Sequence, residues 1–331
     1  MSIYSNSTIL ITGGTGTIGN ILVKYFINQD IKKLIVYSRD ENKFLKLQRE
    51  YNSNKIEYIM GDILDHDKLV YSFRDVDYVI HTAAMKHVGM CESNPIDCIK
   101  TNVIGTENVI KASILNNVKK LVVVSSDKAV NPTCVYGYSK NIMENICRKT
   151  LSDTTSIVIV RPVNLLYSTS NVTSIFLDRV LRNEPLNCTN TARYFMTSQQ
   201  VLDLILYALD KGKDKYIIIK DKLKMCEIET LAKAMIQLFN PNLEIRTIDK
   251  DYVEKKIEDL ITVDEEFKSF EDEGFVCITD KSTGSALHHY SLLNTLKNIN
   301  FKSNDVFMDI SEITDMLLSE DKIKEAIKTW R

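Results

Sequence analysis

The run LITGGTGTIGN, residues 10–20, constrains this chain more than any other stretch. Gly13, Gly14, Gly16 and Gly19 satisfy G-x-x-G-x-x-G and, from Gly14, G-x-G-x-x-G. A glycine match alone is weak, but here its neighbours complete it. Residues 8–12 (TILIT) read as a buried strand directly before it, and Ile18, Ile21, Leu22, Tyr25 and Phe26 follow helical spacing directly after it. Glycines allow a tight turn and a close backbone approach. The helix N-terminus then offers free N–H groups and partial positive charge to a pyrophosphate. Gly13, Thr15, Gly16, Thr17, Ile18 and Gly19 are therefore candidate dinucleotide contacts.

The same alternation continues along the chain. Strand candidates lie at 33–38, 56–60, 77–81, 120–126 and 156–161, with helices at about 40–52, 65–74, 96–116 and 136–151 between them. Short apolar strands separated by helices mean a parallel sheet covered on both faces. The expected fold is α/β, a Rossmann-type doubly wound parallel sheet with a smaller C-terminal substrate-binding lobe. Residues 1–164 form the core. A helix at 199–210 and a strand at 215–219 bring the chain back to it at about 196–220. Residues 165–195, which show no clean period, and 221–331 form the lobe.

Composition removes several classes of function. The net charge of −2 and the lack of a basic stripe argue against nucleic acid. The seven Cys are an odd count with no C-x-x-C, so free thiols are expected, with neither a disulfide framework nor a metal site. The acidic run from Asp264 to Glu273 reads as a solvated face. The N-terminus lacks a signal-peptide pattern, and no apolar run approaches the roughly 18 residues of a membrane span. A soluble, cytoplasmic protein is expected.

The end of the second strand should meet the adenosine ribose. It reads Tyr37-Ser38-Arg39-Asp40. Ser38 and Arg39 can hold a 2′-phosphate by hydrogen bond and charge pairing, which favours NADP; Asp40 keeps NAD open. Asp62 and Ile63 follow strand three, and Ala83 and Ala84 follow strand four. Small residues at strand ends suit a crevice where a flat cofactor lies on backbone. Asp62 either bonds the adenine amino group or caps a helix.

The stretch VVVSSDKAVNPTCVYGYSK, residues 122–140, carries the chemistry. Tyr136 and Lys140 are i and i+4 on a helix and share a face. A lysine charge beside the phenol is expected to lower its pKa and make a general base. Tyr138 has no Lys four residues on. Ser126 can hydrogen-bond the reacting oxygen, while Ser125 points to the other face. Asp127 and Lys128 exceed what alcohol oxidation needs. Lys128, its pKa lowered by desolvation, could remove a proton beside a new carbonyl. Asp127, kept protonated, could donate to a leaving hydroxyl.

These residues resemble the extended short-chain dehydrogenase/reductase superfamily. More narrowly, they resemble the inverting UDP-N-acetylglucosamine 4,6-dehydratases, the short soluble form of the polysaccharide-biosynthesis dehydratases. The matching pieces include TGGTGTIG (12–19), YSRDE (37–41), HTAAMKHV (81–88), TNVIGTENVI (101–110), SSDKAVNP (125–132) and YGYSK (136–140). Related glucose-type 4,6-dehydratases place Glu at the position of Lys128, and plain C4 epimerases lack the Asp-Lys pair. The resemblance implies NADP-dependent hydride removal from C4 of UDP-GlcNAc, or of a close UDP-amino sugar, with Tyr136 as base, Lys140 as its modulator and Ser126 polarising. It implies that Lys128 takes the C5 proton, that Asp127 helps expel the C6 hydroxyl, and that C5 is reprotonated with inversion. The product would be a UDP-2-acetamido-2,6-dideoxy-L-arabino-4-hexulose for surface-glycan synthesis.

The resemblance further implies cofactor contacts from Lys86, Asn102, Tyr136 and Lys140. It implies substrate contacts from Lys86, His87, Asn164, Arg193 and Glu254, and assembly into a homo-oligomer. Val253 replaces a family glycine, and Thr169-Ser170 replaces an Arg-Gly pair. Two alternatives remain open: a UDP-sugar C4 epimerase on the same fold, or a non-catalytic protein that senses NADP.

Overall fold

The computed structural model describes residues 3–249, 254–280 and 307–330. Val253 lies outside them. The chain starts as strand–helix alternation: β1 (Thr8–Thr12), α1 (Thr17–Phe26), β2 (Lys33–Ser38), α2 (Glu41–Glu50), β3 (Ile56–Met60), α3 (His66–Ser72) and β4 (Tyr78–His81). It continues through α4 (Val88–Ser93), α5 (Pro95–Ile99), α6 (Gly105–Leu115), β5 (Lys120–Val124), α7 (Val135–Lys149) and β6 (Ser156–Val160).

All five residues of β1 are buried, as is required of a strand covered on both faces. Leu10 pairs in register with Ile35 of β2 on one side and with Val79 of β4 on the other, both parallel. The chain thus runs outward from β1 in two directions, leaving a crevice at the strand C-termini where the order reverses.

The next elements are β7 (Asn164–Leu165), α8 (Val172–Leu181), β8 (Leu186–Thr189), β9 (Ala192–Met196), α9 (Ser198–Asp210) and β10 (Ile217–Lys220). After them come β11 (Met225–Glu227), α10 (Ile228–Leu238), β12 (Ile245–Ile248), α11 (Val263–Glu266), β13 (Ser269–Asp272) and β14 (Phe275–Ile278). The large sheet has the order β13-β14-β10-β6-β5-β4-β1-β2-β3. Two smaller sheets, β11-β9-β7 and β12-β8, belong to the lobe.

Strand β9 joins the two cores by alternation. Ala192, Tyr194 and Met196 enter the main core, while Phe195 enters the second core with Phe176, Leu231 and Met235. A capping box, Thr197 with Gln200, then starts α9.

The structure departs from sequence expectation in three places. The helix expected over 96–116 is broken by a π-helical segment, Lys100–Ile104, between α5 and α6. The stretch 164–195, without clean periodicity, forms β7, α8, β8 and β9. The stretch 221–331, expected wholly in the lobe, instead sends β13 and β14 back to the large sheet, where β14 pairs antiparallel with β10.

That return also corrects the reading of the acidic run. Glu265 and Glu266 are buried, and Glu265 meets Arg161 Nη2 at 2.7 Å. Arg161 also meets Glu144 of α7 at 2.6 Å, so Glu265 is a docking point, while Asp264, Glu271 and Glu273 of the same run are exposed as expected. Among the described residues no helix is long and apolar enough to cross a membrane. All seven Cys are free and buried.

Candidate active site

The nucleotide side is built from backbone. Gly13 has φ +68°, and a Cβ on it would lie 2.7 Å from the Ala83 Cα. The glycine turn therefore packs directly on the end of β4, next to Thr82 and Ala84. Gly16 is the N-cap of α1 and supplies no side-chain cap; the first turn holds no acid. The leading N–H groups of a ten-residue helix, starting at Thr17 and Ile18, are left for a ligand. A pyrophosphate fits this cradle. Gly19 closes it, since a Cβ there would meet Gly14 backbone at 2.5 Å.

At the tip of β2, Thr15 and Ser38 share a hydroxyl hydrogen bond of 2.7 Å. Arg39 lies beside them, exposed, and pairs with Asp62 Oδ2 at 3.1 Å. Asp40 is spent elsewhere: it caps α2, accepting from the Lys43 N–H, and that bond holds its carboxyl below the usual range. Asp62 accepts the Leu64 N–H; the α3 cap is Asp65. The Ile63 side chain is buried against Gly105, so its contact to a cofactor could come only through backbone.

One expected contact changes role. Asn102 is fully buried in the π-helical segment and does not face the crevice. It accepts the Met85 N–H and donates to the Met85 carbonyl and to Ser139 Oγ, so it clamps the AAMKH segment instead of touching a ligand. His81 is buried between Thr12 and Thr106. Burial and the nearby Lys140 charge drop its pKa to about 3, leaving a neutral linker of β1, β4 and α6.

The chemistry side starts where β5 ends. Ser125 faces away from the crevice and donates to Glu144. Ser126 caps a single 3-10 turn, Asp127–Ala129. α7 packs hard on that turn: a Cβ on Gly137 would lie 2.5 Å from the Lys128 carbonyl oxygen. This close approach brings Tyr136 to Ser126. Cys134 caps α7 with its Sγ, and Glu92 accepts the Val135 N–H. Tyr138 is half exposed and turned outward.

The electrostatics correct two expectations. The Tyr136 phenol is pushed up, not down. Burial is the main cause, Asp127 adds to it, and a hydrogen bond with Ser126 opposes it. Lys140 does not offset this: its Nζ donates to the Val124 carbonyl, and burial lowers its pKa to about 8. Lys128 is also opposite to expectation. Burial would lower it, but the neighbouring carboxyl groups, Glu258 at 3.2 Å the nearest, outweigh burial and raise its pKa. Asp127 follows the expected direction, raised chiefly by burial.

A small open pocket lies here, lined by Val88, Lys128, Thr133, Cys134, Glu254, Lys255 and Glu258. Arg193 reaches it from β9, with Nη2 2.8 Å from Glu254 Oε2. Lys86 donates to Ser168 and to the Thr169 carbonyl. Asn164 donates to the Tyr194 carbonyl. His87 is exposed and caps α4.

Sequence reasoning missed Glu258. It lies in the run VEKKIEDLIT (253–262), where only Glu254 was singled out. No local spacing shows that an acid here turns toward Lys128. Burial of an acid in a charge-rich loop is a tertiary fact.

The comparisons with known proteins agree with this architecture. A family model described as "Polysaccharide biosynthesis protein" matches residues 9–280. A curated UDP-glucose 4-epimerase of Rickettsia bellii (strain OSU 85-389) is 32% identical over 98% of this chain and 99% of its own length. The X-ray structure of Pen from Bacillus thuringiensis superposes with a TM-score of 0.85 at 30% identity, covering 96% of this chain and 99% of that one. The dTDP-glucose 4,6-dehydratase DesIV from Streptomyces venezuelae superposes with a TM-score of 0.68 at 18% identity, covering 88% and 96%, which shows the fold alone.

Proposed function

Since the chain belongs to the polysaccharide biosynthesis protein family, we propose that it is a nucleotide-sugar 4,6-dehydratase that uses NADP, acts on UDP-GlcNAc or a close UDP-amino sugar, and inverts C5. The observation that carries this reading is the Asp127–Lys128 pair, with Asp127 buried beside Tyr136 and Ser126 and Lys128 lining the adjoining pocket. Simple hydride exchange at C4 has no use for that pair.

The α1 N-terminus and the Gly13–Gly19 turn hold the pyrophosphate of the dinucleotide. Thr15, Ser38 and Arg39 hold its 2′-phosphate, since Asp40 is committed to its helix cap. A nicotinamide bound there would supply a reversible hydride acceptor.

This chain's residues handle the protons. Tyr136, with Ser126 beside it, takes the C4 hydroxyl proton as a phenolate, after losing its own proton to solvent; the positive charge of an oxidised nicotinamide would favour that form. The resulting C4 carbonyl acidifies C5–H. Lys128 takes that proton as a free amine, having first released its own spare proton to solvent. The C5 electron pair forms the C5–C6 double bond as the C6–O bond breaks. Asp127 gives its proton to the departing hydroxyl, which leaves as water.

The pocket beside Lys128 is the sugar end of the site. Arg193 and Glu254 flank that end.

A second reading is a UDP-sugar C4 epimerase. It is favoured by the curated relatives at 31–32% identity, which carry the name UDP-glucose 4-epimerase. Incubation with UDP-GlcNAc separates the two. Loss of one water from the product mass supports the dehydratase, and an isobaric product supports the epimerase. Under either reading Tyr136→Phe is expected to slow hydride transfer by about 10²–10⁴-fold while cofactor still binds. Near-normal turnover by the variant would remove Tyr136 from its role.

A further inference from the structure

Glu258 is 3% exposed and sits among three cations. Its Oε1 is 3.2 Å from Lys128 Nζ and 4.0 Å from Arg193 Nε; its Oε2 is 3.8 Å from Lys255 Nζ. Lys128 Nζ is therefore nearer to Glu258 than to Asp127 Oδ1, at 4.0 Å.

Asp127 has two unlike oxygens. Oδ1 accepts from Ser126 Oγ at 2.7 Å and from the Lys128 backbone N–H at 2.9 Å. Oδ2 is buried and has no hydrogen-bond partner. An ionised carboxylate with one bare buried oxygen is costly. A carboxylic acid at the same place carries its proton on the bare oxygen, where a substrate hydroxyl can accept it.

We infer that Glu258 is a positioning residue for water elimination: by drawing the Lys128 ammonium to itself, it lets Asp127 keep a proton on Oδ2 for the departing C6 hydroxyl. This rests on the 4,6-dehydratase reading and adds to it the group that divides the work between Asp127 and Lys128.

The charge count supports the assignment. Lys128, Arg193 and Lys255 face Glu254, Glu258 and Asp259. With Asp127 neutral the cluster balances. Tyr136, Tyr194 and Cys134 also face the cluster, and burial keeps each protonated. Remove Glu258 and the ammonium of Lys128 has Asp127 as its nearest carboxylate, so Asp127 ionises and its acid role is lost.

The sign of the pH effect follows. Elimination needs Asp127 protonated, so it fails as pH rises through the Asp127 pKa. Burial, helped by the Glu258 charge, raises that pKa. Glu258→Gln removes the second contribution and moves the alkaline limb of elimination to lower pH.

The test has two arms on the full chain. The first needs no substrate: the infrared C=O stretch of a protonated carboxylic acid is measured near neutral pH as wild type minus Asp127→Asn. The band is expected in wild type, absent from Glu258→Gln, and partly restored in Glu258→Asp. No such band in wild type, or an undiminished band in Glu258→Gln, overturns the inference.

The second arm follows UDP-GlcNAc. Glu258→Gln is expected to form reduced nicotinamide yet release water about 10–100-fold more slowly, within the range of general-acid effects. Equal loss in both steps with an unmoved pH profile means a merely structural role and overturns the inference. If wild type gives an isobaric product, the dehydratase reading fails, and the infrared arm alone decides whether Glu258 keeps Asp127 protonated.

Discussion

The two ends of the site are made in different ways. The nucleotide end is backbone: a positive-φ glycine, a helix start without a cap, and a β4 end in close contact. The sugar end is side chain: a buried cluster that joins Asp127 and Lys128 to Arg193 and Glu258 from distant parts of the chain. Backbone sites depend on residues that are close in sequence. Charge clusters depend on where the chain comes back. The first is sensitive to shape and the second to the balance of charge.

The largest expected effect strikes the sugar end from outside it. Arg161→Ala leaves Glu144 and Glu265 buried without their cation and unpins α7 from the returning C-terminal segment. Breaking one side of a buried pair costs about 3–5 kcal/mol. Chemical denaturation should show a loss of that size. A loss below about 1 kcal/mol would show that the triad does not hold the lobe to the sheet.

The nucleotide end should respond next. Gly13→Ala forces a non-glycine residue into φ +68° and places its Cβ against the Ala83 backbone. The conformation alone costs about 1–3 kcal/mol, and the contact adds to it. Calorimetric titration with NADP should show weakened binding, while the Asp127 infrared band stays. If the band went too, the two ends would not be separable.

Arg39→Ala is the mildest of the three and sharpens the cofactor assignment. A hydrogen bond to a charged group contributes about 1.5–3 kcal/mol, so NADP affinity should fall about tenfold or more with NAD affinity little changed. Equal loss for both dinucleotides would mean that no 2′-phosphate is read at Arg39.

The same division explains what the sequence revealed. β1, the glycine turn and α1 follow from local period and spacing, and so does Tyr136–Lys140 on α7. Gly13 and Gly16 stand where the pattern put them. The π-helical break at Lys100–Ile104 was hidden because no glycine or proline falls within it. The return of Ser269–Ile278 rests on a pairing with β10, and Glu265 is buried by Arg161 from over a hundred positions away; local spacing shows neither. The pKa directions of Tyr136 and Lys128 were misjudged for one reason. Each depends on how burial weighs against partners that only the fold brings near: Asp127 for both, and Glu258 for Lys128.

One measurement goes to the centre of this account: proton NMR of UDP-GlcNAc turnover by the wild-type chain in D₂O. The account predicts a 6-deoxy-4-keto product with deuterium at C5 and the inverted C5 configuration. A product that retains its C6 hydroxyl and its C5 proton, changed only at C4, would contradict it.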